Sequence, residues 1–153
     1  ECLEVPFHVV PHHEQSREAH EHQLAKLIDI YAPEVIVLAR YMRVLSDHFV
    51  DRYSEKLINI HHSFLPAFVG AAPYQQAFER GVKVIGATAH YVTAELDAGP
   101  IIAQDVIPVD HNFSAKQMAQ AGRDVEKIVL AKAVRLVLED RVFMHGCRTV
   151  VFS

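Results

Sequence analysis

Tryptophan is absent and cysteine occurs only twice, at Cys2 and Cys147 near the two ends of the chain, with no Cys-x-x-Cys spacing. That excludes a disulfide framework and a cysteine-built zinc site, and it fits a reduced, cytoplasmic setting. Glycine is scarce too. The six are Gly70, Gly81, Gly86, Gly99, Gly122 and Gly146, so neither a GxGxxG nor a GxxxxGK phosphate loop occurs. No run approaches the roughly 20 apolar residues of a membrane span. Nor does a basic region precede an apolar run at the N-terminus, so no secretory signal is read. Basic residues show no excess: the formal net charge is -4, which gives no electrostatic footprint for nucleic acid.

What is present is an ordinary globular composition, 50% hydrophobic and 22% charged over 153 residues, enough for one domain with a core. Eleven histidines stand out. His8, His12 and His13 cluster, with His20 and His22 nearby, but no HExxH helix is present, and residues two apart on a helix point apart. Solvated histidines and no metal are the expectation.

The pattern of elements is that of an α/β chain. Val5–Val10 is a short strand candidate bounded by Pro11. Glu14–Tyr31 reads as a helix, with Leu24, Leu27, Ile28 and Tyr31 at helical spacing. The apolar run Glu34–Ala39 reads as a strand covered on both faces, and strand, helix, strand implies a right-handed parallel crossover. Ser46 caps a short helix through Tyr53, and a strand from Leu57 follows. Phe64–Ala72 is loop, and Pro73 opens a helix that Gly81 closes. Val82–Val92 and Pro100–Val109 are two strands that pair antiparallel. Ser114 and Gln117 form a capping box for a helix to Asp140, with Phe113 and Met118 as its staple. Its buried stripe is Met118, Ala121, Val125, Ile128, Val129 and Leu136. Arg141–Phe152 is a hairpin turning at His145-Gly146. The fold class is α/β, a partly parallel Rossmann-like sheet with antiparallel additions, in one domain over residues 1–153.

Chemistry concentrates at Leu57-Ile58-Asn59-Ile60-His61-His62-Ser63-Phe64-Leu65-Pro66. Side chains alternate along a strand, so Asn59 and His61 share a face with Cα atoms about 7 Å apart. Strand ends of open α/β sheets carry sites. An amide beside an imidazole suits stabilising an oxyanion or moving a proton in acyl chemistry; both could equally satisfy loop backbone. Asp97, in Glu95-Leu96-Asp97-Ala98-Gly99-Pro100, is either a turn aspartate or a carboxylate that orients an imidazole or a water. His90, on a strand face with Gly86, Thr88 and Val92, is either a core histidine or part of the same pocket.

Three segments together resemble the formyltransferase-type fold family: Leu38-Ala39-Arg40-Tyr41-Met42-Arg43-Val44-Leu45, Asn59 to Pro66, and His90 to Pro100. The doubled His61-His62, the run Ser63-Phe64-Leu65-Pro66-Ala67-Phe68 and Gly122-Arg123-Asp124-Val125-Glu126-Lys127 are similar to its formyltetrahydrofolate deformylase branch. The resemblance covers nearly the whole chain from Val5. It implies Asn59, His61 and Asp97 as a catalytic trio. It also implies a substrate pocket formed by Met42, Arg43, Val44 and Leu45 on one side and His90, Val92, Thr93, Glu95 and Leu96 on the other. The activity implied is hydrolysis of 10-formyltetrahydrofolate to tetrahydrofolate and formate, supplying purine synthesis, with a small-molecule folate as substrate and no cofactor. Rival readings are formyl transfer to an amine such as glycinamide ribonucleotide or methionyl-tRNA, and a non-catalytic folate-binding module. Ala72 and Gln75 depart from the basic residue and histidine usual beside that Pro-Tyr, which bears on pocket polarity. The family usually carries an ACT-type regulatory domain and a first strand and helix. This chain, starting at Glu1, is therefore expected to be a fragment lacking both, to self-associate as a homo-oligomer and to be a poor catalyst.

Overall fold

The computed structural model describes residues 5–13, 15–67 and 72–152. Its elements are α1 (Arg17–Tyr31), β1 (Ile36–Leu38), α2 (Asp47–Arg52), β2 (Leu57–His61), α3 (Pro73–Glu79), β3 (Val84–Tyr91), β4 (Ile101–Pro108), α4 (Ala115–Leu138), β5 (Val142–His145) and β6 (Arg148–Val151). Strands β1 to β4 form one sheet in that order. β1 runs parallel to β2, whereas β2–β3 and β3–β4 are antiparallel. This is the mixed α/β sheet expected. Cys2, Glu14 and residues 68–71 of the expected loop lie outside the described residues.

Strand alternation sorts the sheet into two faces. Ile58, Ile60, Ala87, Ala89 and Tyr91 pack against Val125, Val129 and Ala133 of α4. Each isoleucine or valine among them contributes about 1.5–3 kcal/mol when fully buried. On the opposite face, Leu57 packs with Ala25 of α1 and Phe49 and Val50 of α2. Ser16, Ser46 and Ser114 cap α1, α2 and α4 through their hydroxyls, and Ser114 and Gln117 complete the capping box. Phe113 packs beside Met118, as a staple does. A carboxylate ties α1 to α2: Glu21 accepts from the Ser46 amide at 2.8 Å and from the Ser46 hydroxyl.

The structure departs from the sequence reading at several points. Val5–Val10 is not a strand. Pro6 and Pro11 lack the N–H a ladder needs, and Val5, Phe7 and Val9 are exposed. The expected crossover therefore reduces to the parallel β1–β2 pair spanning α2. β1 is three residues long and, among the described residues, pairs only with β2, so Val37 is 38% exposed rather than covered. Ile128 is 64% exposed: at 100° per residue it lies about 80° off the line of Met118 and Leu136, and Gly122 and Ala133 occupy the buried face instead. His20 is 5% exposed, not solvated, and its Nε2 lies 3.3 Å from the Val10 carbonyl. The terminal hairpin turns one residue later than expected, at Gly146-Cys147, because His145 pairs with Arg148.

Gly122 matters to packing. A Cβ there would sit 2.1 Å from both Cζ and the hydroxyl of Tyr74, which donates to Glu126 Oε1 at 2.7 Å. Gly122→Ala is expected to destabilise the fold by about 1–2 kcal/mol, overpacking outweighing the roughly 1 kcal/mol gained in helix propensity. Urea denaturation measures this; a stabilised variant would mean that Tyr74 is not held against α4.

Candidate active site

The β2–β3 register builds the site. Asn59 lies directly across from His90, and His61 across from Thr88, on the face away from α4. Asn59 Nδ2 is 3.3 Å from His90 Nε2, and His90 Nδ1 is 2.8 Å from the Tyr91 carbonyl. A carbonyl only accepts, so Nδ1 carries the proton. In the neutral ring, Nε2 is left to accept from the Asn59 amide. Burial, the largest effect, and the nearby His61 lower the His90 pKa, against the opposing pull of the Tyr91 carbonyl and Asp97.

Asp97 closes the cluster from the loop between β3 and β4. Its Oδ2 lies 3.3 Å from His61 Nδ1, and its Oδ1 lies 3.8 Å from His90 Nε2. All three side chains are at least nine-tenths buried. The loop is fixed at its ends: Tyr91 N donates to the Pro100 carbonyl and Val92 N to the Leu57 carbonyl, both at 2.9 Å. Asp97 has φ 55°, a left-handed conformation that aspartate tolerates better than most residues. At Gly99 a Cβ would fall 1.7 Å from the Tyr91 carbonyl oxygen, so only glycine lets the chain pass there.

These groups face one cavity. It is lined by Met42, Arg43, Val44 and Leu45 on one wall and by Val92, Thr93, Glu95 and Leu96 on the other. Asn59, His61, His90 and Asp97 lie between the walls. Every site residue singled out from the sequence thus borders this cavity. Arg40, Tyr41 and His62 border it too and were not among them, although Tyr41 and His62 each adjoin a chosen residue in the chain. Ala72 and Gln75 do not: both are exposed at the start of α3, and Gln75 pairs with Glu79 at 2.8 Å. Behind the site, buried Thr88 donates to the Ser63 carbonyl at 2.8 Å and accepts from Leu65 N and Gln104 Nε2, which pins the chain just past His61. Tyr74 remains a phenol, its pKa raised first by burial and then by its hydrogen bond to Glu126.

A half-buried amide, a neutral imidazole and an imidazole–carboxylate pair converge at the strand ends in one groove, an arrangement suited to acyl-group chemistry. Residues 2–134 match the family model described as formyl transferase, and the chain belongs to that family. It is 58% identical over 151 residues to the formyltetrahydrofolate deformylase of Escherichia coli (strain K12), covering 99% of this chain and 54% of that protein. The crystal structure of a formyltetrahydrofolate deformylase from Pseudomonas syringae pv. tomato str. DC3000 superposes with a TM-score of 0.93 at 52% identity, covering 97% of this chain and 50% of that one. Glycinamide ribonucleotide transformylase 1 from Symbiobacterium toebii is more distant, at 36% identity and a TM-score of 0.85, covering 90% of this chain and 65% of its own. The chain spans about half the length of the curated relatives it matches.

A histidine whose folded pKa lies below its unfolded value of 6.5 binds fewer protons folded than unfolded at mildly acid pH. Its stabilising effect is therefore present above that value and is lost as pH falls through the folded pKa. The His90 imidazole is expected to stay neutral, protonated at Nδ1, at pH 6.5. Imidazole ¹⁵N shifts report this; an imidazolium at that pH would contradict the tautomer assigned above.

Proposed function

We propose that this chain carries the catalytic site of a formyltetrahydrofolate deformylase, hydrolysing 10-formyltetrahydrofolate to tetrahydrofolate and formate. The observation that carries the reading is the contact of Asp97 with His61 beside Asn59 in one cavity, together with the 58% identity to a relative of that name. Asn59 spends one amide N–H on His90; the other remains to donate to the formyl oxygen. Water adds to the formyl carbon, and charge develops on that oxygen. Asn59 and His61 stabilise it, and Asp97 holds His61 in orientation. The two flanks of the cavity, Met42 to Leu45 and Val92 to Leu96, hold the folate. No cofactor enters this scheme.

The reading extends to a cytoplasmic, homo-oligomeric enzyme with a folate substrate and no nucleic-acid partner. Among the described residues no helix is long and apolar enough to cross a membrane. The transformylase reading, with an amine as acceptor, has the weaker support: the transformylase likeness stands at 36% identity. Formate released without any amine present separates hydrolase from transferase. Folate binding by calorimetry without turnover would indicate a binding module instead.

Two variants test the roles. In a version of the enzyme extended to the full length of its relatives, Asn59→Asp is expected to lower turnover about 10²-fold or more, as for loss of an oxyanion donor, with folate binding little changed. Near-normal turnover would remove Asn59 from the role. Asp97→Asn is expected to keep the fold, by circular dichroism and thermal melt, and to reduce formate release nearly to background. Retention of activity would leave Asp97 as loop chemistry only.

A further inference from the structure

His62 borders the cavity but stands outside the Asn59–His61–Asp97–His90 cluster. Its ring stacks on His61, centroids 5.3 Å apart and planes at 21°. Its other neighbour is Tyr74, at 6.0 Å and 37°. Tyr74 is itself fixed, seated on Gly122 and hydrogen-bonded to Glu126. The result is a row of three rings with a carboxylate at each end, Asp97 at the cavity and Glu126 on α4.

The charged and titratable groups facing His62 come from every side: His61 on β2, Asp97 in the β3–β4 loop, Arg40 after β1, Tyr74 on α3 and Glu126 on α4. Burial, the largest effect, lowers its pKa below the ordinary 6.5, as do His61 and Arg40, while Glu126 and Asp97 pull the other way. The imidazole is thus neutral at pH 7 and able to accept a proton, and two carboxylates favour the cation once it forms. It is also only half-buried, so a proton taken up there has a way to solvent.

Hydrolysis of a formamide at neutral pH yields amine, formate and one proton. The water oxygen bonds to the formyl carbon and the C–N bond breaks. One proton of the water ends on the amine nitrogen, and the second has to leave the site. We infer that His62 is a further acid–base residue of this site, accepting that second proton from the attacking water's oxygen and passing it to solvent. The inference rests on the hydrolase reading.

Formate release is measured for the wild type, His62→Phe and His62→Ala, with and without added imidazole. His62→Phe keeps a ring in the row and removes the basic nitrogens. It is expected to lower kcat about 10²-fold, within the range for loss of a general acid or base, with KM for the folate within about threefold. Added imidazole is expected to restore kcat at least tenfold in His62→Ala, where the ring's space is open, and not in His62→Phe. The loss of kcat below pH 6.5 in the wild type is expected to be weaker in both variants, His90 accounting for what remains. A fall in kcat without imidazole rescue would make His62 a packing residue and overturn the inference. Unchanged kcat in His62→Phe beside an active wild type would overturn it and leave the hydrolase reading standing. An inactive wild type at the full length of its relatives would overturn both.

Discussion

The antiparallel pairing of β2 with β3 is the constraint on which the site depends. Directly opposed residues on an antiparallel pair share a face, so the register that sets Asn59 against His90 also sets Ile58 against Tyr91 on the other side. The apolar partners are held by α4, and the polar partners are thereby left facing the cavity. A slip of one residue would exchange the two sets. Burial of Ile58, Ile60, Ala89 and Tyr91 therefore stabilises the fold and aims the chemistry at once.

Much of this was legible along the chain, for a physical reason. Period-two alternation in Leu57–His61 is local information, and it correctly put Asn59 and His61 on one face. The capping box at Ser114 and Gln117 and the proline opening α3 are local too. Side-chain pairs across elements were not legible. Nothing in the sequence forces Asp97 onto His61; that depends on the backbone clamps at Tyr91 and Val92 and on the close pass at Gly99. Likewise the burial of His20, the exposure of Val37 and the exposure of Ile128 are set by which neighbour is present, which periodicity does not record.

The resemblance to a known family supplied what periodicity could not. It drew together Met42–Leu45 and Val92–Leu96, segments with no titratable signature beyond Arg43 and Glu95, and both border the cavity. It gave less at His62, Tyr74 and Glu126. These come from a loop, α3 and α4, and their association is visible only once Tyr74 is seen resting on Gly122.

The loop from Thr93 to Gly99 carries a rule about insertions and deletions. Its two ends are fastened by main-chain hydrogen bonds that no side chain supplies, and Ala94 and Ala98 within it are not buried. Substitution at those two positions leaves the path of the chain intact. Adding or removing one residue does not, because the carboxylate of Asp97 would rotate away from His61 while both clamps held. The loop is therefore a unit of fixed length in this chain, and chimeras are best joined outside Tyr91 and Pro100.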